Sequence, residues 1–150
     1  MIKESAGRLS RIVEESAPKL AAIPEAEAAR KPGPEKWSRK EILGHLVDSA
    51  SNNHQRFVRA QLAARLDFPG YAQNEWNAAQ RYQEEPWAQL VELWASYNRH
   101  IAHVLLRVPP EAAGNLCVIG GADPVTLEFL AADYVQHLEH HLEQIAGAAG

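Results

Sequence analysis

Three of the seven histidines of this chain crowd into residues 137–141. A neutral imidazole is the commonest protein ligand for a divalent metal ion, and histidines four residues apart on a helix share one side. His137 and His141 have that spacing. Helical phase decides where they point, because each residue turns the face by about 100°. Leu127, Leu130, Tyr134, Leu138 and Ile145 make the apolar stripe of the last helix. His141 falls inside it, His137 lies on its edge, and His140 turns toward solvent. In an earlier helix Ile42, Leu46, Phe57 and Ala60 define the inward side, and His45, Ser49, Asn53 and Arg56 fall with them. Asp48 and His54 do not. A core face carrying His45, Ser49, Asn53 and Arg56 is unusually polar. Such groups buried without partners cost about 1–3 kcal/mol each, so they need partners or a purpose.

A single inward histidine is ordinarily a hydrogen-bonded structural residue, but His45, His137 and His141 together form a metal-ligand set. Three neutral ligands leave a divalent ion its full charge and at least one open position, as in catalytic sites. Such an ion lowers the pKa of a bound water or thiol. All-imidazole ligation suits zinc, nickel, copper or iron, with zinc, nickel and iron the leading expectation. Asn53, Arg56 and the 65–85 connection should bound the open face, where a small-molecule substrate would enter. The planar fork of Arg56 matches a carboxylate, its ordinary alternative being a salt bridge at the bundle surface. No residue stands out as a general base, so the catalytic residues stay open. His54, His103 and His140 are expected at the surface, and His100 flanks the stripe of the third long helix. Tyr71 and Trp76 are placed where they could cover a pocket, and Cys117 reads as inert. There is no nucleophile elbow, phosphate-binding glycine loop or His-Glu-x-x-His motif.

Four long periodic segments must position these residues. The first covers about 2–23 and stops before Pro24. The second opens at Ser38-Arg39-Lys40-Glu41, a capping box, and is expected to run to about Ala64. Residues 65–85 read as irregular, with a turn at Phe68-Pro69-Gly70-Tyr71 and a short helix over Asn74 to Tyr82. The third long helix opens at Pro86 and ends before Pro109-Pro110. A glycine-containing loop follows, in which Leu116 to Ile119 could form a small strand. Thr126 is the expected N-cap of the last helix, which ends near Ala146-Gly147. Four helices of this length predict an all-α four-helix bundle over 1–150 as one domain. The long 65–85 connection allows a crossover.

The 150 residues suit a single domain, and 46% hydrophobic with 23% charged residues is globular composition. A net charge of −4 argues against nucleic acid as a partner, since such proteins carry a basic face. One cysteine excludes an internal disulfide framework. No apolar run reaches the roughly 20 residues of a membrane span. No apolar segment follows the first residues in the manner of a secretory signal. A cytoplasmic protein without membrane partners is the expectation.

Two stretches, Trp37-Ser38-x-x-Glu41-Ile-Leu-Gly-His45-Leu and Tyr134-Val-Gln-His137-Leu-Glu-His-His141-Leu-Glu-Gln144-Ile, resemble the DinB-like superfamily of small four-helix metalloproteins. The likeness extends over nearly the whole chain. It implies an up-down-down-up bundle, which would account for the 65–85 crossover. It also implies a divalent ion on His45, His137 and His141, the three that helical phase selects. Members are metal-dependent hydrolases, or transferases that use a low-molecular-weight thiol, and a homodimer is in keeping with them. The competing reading is a bundle that binds metal or a small ligand without catalysis.

Overall fold

The computed structural model describes residues 1–147. Among them are six α-helices, α1 (Ile2–Ala21), α2 (Glu25–Ala29), α3 (Arg39–Arg59), α4 (Gln73–Gln80), α5 (Trp87–Leu106) and α6 (Leu127–Gly147). Three short strands, β1 (Arg65–Phe68), β2 (Leu116–Ile119) and β3 (Val125–Thr126), form one sheet in the order β1-β2-β3. The four long helices α1, α3, α5 and α6 make the bundle. α1 packs against α5 and α6, and α3 packs against the same two.

Helix directions follow from contacts at the ends. The Met1 amino group lies 3.3 Å from a Glu128 carboxylate oxygen, and Arg8 pairs with Glu139, so α1 and α6 run in parallel. α3 and α5 both lead into the sheet, where β1 and β2 pair in parallel with Arg65 opposite Leu116 and Phe68 opposite Ile119. β3 pairs antiparallel with β2 and feeds directly into α6, which therefore runs away from the sheet. The order is up-down-down-up. An apolar core including Leu9, Leu46, Phe57, Trp94, Leu105 and Leu138 closes the bundle, each such side chain contributing roughly 1.5–3 kcal/mol by burial.

Local signals set the helix starts. The Ser38 hydroxyl accepts from the Glu41 amide at 3.2 Å while the Glu41 carboxylate accepts from the Ser38 amide at 3.0 Å. The Thr126 hydroxyl accepts from the Phe129 amide at 3.1 Å. α3 ends at Arg59 rather than near Ala64, because the Ala64 carbonyl is taken by the Leu116 amide at 2.9 Å and the chain is drawn into the sheet. The 65–85 connection is more ordered than its sequence suggests. It carries β1, then α4, then a single 3₁₀ turn at Tyr82–Glu84. That turn lays Tyr82 over Gly44, where an added Cβ would stand 2.2 Å from the Tyr82 ring. Only glycine permits this approach.

Candidate metal centre

His45 lies in the second turn of α3 and is 2% exposed, with the Trp37 ring 5.3 Å away. His137 and His141 occupy successive turns of α6, which packs alongside α3. The packing brings His45 Nε2 to 3.5 Å from His137 Nε2, which is itself 3.1 Å from His141 Nε2. The ligand atoms of all three lie within 4.8 Å of one another. Imidazole nitrogens held by one tetrahedral ion at about 2.0–2.1 Å would be about 3.3 Å apart. The observed spacings fall either side of that value, so the three residues fit a small divalent cation.

Protonation favours the same use. Burial, with His141 and His137 beside it, holds the His45 imidazole down at about 4. Burial, then His141, lowers His137 as well. Both rings are neutral at pH 7 and present lone pairs. His141 Nδ1 donates to Gln144 Oε1 at 2.8 Å, which turns its Nε2 toward the cluster. His45 Nδ1 is buried with no hydrogen-bond partner among the described residues.

Among the described residues, two cavities that reach the cluster stand out. One, of about 250 Å³, has His45 and His137 at one end and Ser49, Asn53, Arg56 and Tyr71 along it. The other, of about 550 Å³, is lined by Trp37, Ile42, His141 and Gln144. Gln73 of the crossover borders both. The structure brings His45, His137 and His141 to one point and places Asn53 and Arg56 in the adjoining cleft. Asn53 is tied to α3 through its Nδ2 donor to the Ser49 carbonyl at 2.8 Å. Tyr71 does line the cleft, and its ring packs at a tilt against Trp76, 5.1 Å between centroids.

The chain belongs to the DinB superfamily. The family model described by that name matches residues 8–145. Among solved structures, YfiT from Bacillus subtilis, described as a probable metal-dependent hydrolase with an unusual four-helix bundle topology, superposes with a TM-score of 0.79. It is 18% identical, over 96% of this chain and 85% of that one, so the likeness is one of fold. No curated protein sequence matches significantly.

The remaining histidines of this DinB-superfamily chain are more mixed. His103 and His140 are exposed as expected. His54 is half-buried instead, its Nδ1 2.9 Å from the Tyr97 hydroxyl and its ring edge-on to His100 at 5.2 Å. Cys117 is fully buried in β2, and burial raises its thiol pKa. Two residues escaped phase reasoning. Asp48, expected outside the core face, is 2% exposed and accepts from the Tyr82 hydroxyl and Gln80 Nε2, both at 2.7 Å. Burial raises its pKa against those two hydrogen bonds. Gln144 stands three residues after His141, a spacing that could have marked it as the partner of that ring. Among the described residues no helix is long and apolar enough to cross a membrane.

Proposed function

We propose that the protein is a metal-dependent hydrolase built on His45, His137 and His141. The observation that carries this reading is the convergence of three imidazole nitrogens from two helices beside a polar cleft. A bound divalent ion, zinc, nickel or iron, would supply Lewis acidity and lower the pKa of a water or thiol in contact with it. The chain's own residues do the rest. His45 and His137 stay neutral through burial, and Gln144 fixes the tautomer of His141. Asn53 and Arg56 hold a small-molecule substrate in the cleft, and Tyr71 with the crossover shields it from water. The description of YfiT as a probable metal-dependent hydrolase supports the same activity.

A second reading, transfer of a low-molecular-weight thiol, is favoured by the cavity on the His141 side, which offers room for a second reactant. Elemental analysis of untagged protein, followed by ester and amide substrates with and without added thiols, tests both. About one divalent ion per chain is expected, with most of it lost in His45→Ala and His141→Ala. A wild-type chain that takes up no divalent ion would overturn the proposal. Turnover only with a thiol present would select the second reading.

A further inference from the structure

Arg56 is 7% exposed, yet among the described residues it makes no ion pair. A guanidinium carries five N–H donors and stays charged in proteins. Its protein hydrogen bonds are both long: Nη1 to Asn53 Oδ1 and Nη2 to the Pro69 carbonyl, each 3.4 Å. Nε is buried with no acceptor among the described residues. The group is nonetheless held in place, its Cζ 5.5 Å from the centre of the Phe68 ring on β1. The titrating side chains that act on it are Tyr71 and Cys117, and burial raises the pKa of both, so neither is an anion at neutral pH. A buried cation without a counter-charge is expensive, and burial lowers its own pKa.

We infer that Arg56 is the anion-binding end of the cleft and that the ligand taken there carries a carboxylate, its remainder directed toward His45 and His137. The inference rests on the proposed hydrolase only for what happens at the histidine end; capture of the carboxylate needs no metal. One planar guanidinium matches one carboxylate through paired N–H···O bonds. A phosphate dianion suits the cleft less well. Among the described residues that line it, Arg56 is the one basic side chain apart from the two neutral histidines, and the exposed Asp133 lines it too. Arg59 also approaches Phe68, at 6.0 Å, but it is exposed, bonds to Gln55 and does not line the cavity. Asn53 keeps its Nδ2 on the Ser49 carbonyl and its Oδ1 toward Nη1, so the paired bonds to the ligand come from Arg56.

The test is titration of chelator-treated protein with N-acetylglycine, its neutral amide and inorganic phosphate, followed by calorimetry and by the Arg56 Nε–H resonance. N-acetylglycine should bind at least about tenfold more tightly than the amide and shift that resonance. Arg56→Gln should abolish the preference, and Arg56→Lys should keep only part of it because an ammonium lacks the fork. Arg56→Gln removes an uncompensated charge, so its thermal midpoint should equal or exceed that of wild type. Should that variant fail to fold, the resonance in the wild-type chain decides. Equal binding of acid and amide, a preference that survives in Arg56→Gln, or tighter binding of phosphate overturns the inference. Metal uptake without a carboxylate preference would sink this inference and leave the hydrolase standing. A carboxylate preference without metal uptake would do the reverse.

Discussion

Replacing His45 with glutamine removes a titrating ring that is 2% exposed and held at about 4, against an ordinary value of 6.5. The folded pKa is depressed, so between these two values the unfolded chain binds a proton that the folded chain refuses. The stability tied to a neutral His45 is therefore complete above about pH 6.5 and is lost as pH falls toward 4. A gap of about 2.5 units at about 1.4 kcal/mol per unit makes the full loss about 3 kcal/mol. Urea unfolding of chelator-treated protein at about pH 7.5 and about pH 4.5 samples most of that window, so wild type should lose about 2–3 kcal/mol more than His45→Gln. Carboxylates titrate in both proteins, so the difference reports His45 together with its coupling to His137 and His141. At about a hundred times its dissociation constant, a divalent ion at neutral pH should stabilise wild type by about 2.7 kcal/mol and the variant far less. Parallel acid losses, within about 0.5 kcal/mol, would show that this ring is not buried neutral and would remove the electrostatic argument for the centre.

Gly44→Ala drives a methyl to 2.2 Å from the Tyr82 ring, so thermal unfolding should show a loss of about 1–3 kcal/mol despite the gain in helix propensity. An unchanged midpoint would mean that Tyr82 does not lie on Gly44. Gln144→Ala leaves His141 Nδ1 without its acceptor, and competition with a chelating dye should show divalent-ion affinity weakened by about 10–100-fold. His140→Ala, whose ring is exposed, should leave metal content as in wild type, and a large loss there would make His140 the ligand on α6.

Much of the bundle could be read without coordinates because its signals are local. The Ser38 to Glu41 box starts α3 through bonds between residues three apart, and Thr126 caps α6 in the same way. Helical phase needs only the rotation per residue, and it turned His45 on one helix and His137 and His141 on another toward the same interior. The apolar stripes that guide this reading are the ones buried in the core, from Leu46 and Phe57 to Leu130 and Leu138.

Distant parts of the chain decided the remainder. β1 reads Arg-Leu-Asp-Phe, half of it exposed, and becomes a strand only because Leu116–Ile119 pairs with it across some fifty residues. That pairing shortens α3, and it sets Phe68 and Pro69 against Arg56. Asp48 was missed for a related reason. Periodicity locates the side of a helix that faces the main core, whereas the crossover covers another side of α3 with Tyr82 and Gln80. The sequence could bring a guanidinium and three imidazoles inward. That the imidazoles converge within a coordination sphere, and that the guanidinium finds no carboxylate among the described residues, depends on the packing of α3 against α6 and on the fold of the crossover. Side chains from separated segments meet only when the core closes, and no local rule encodes the distance between them.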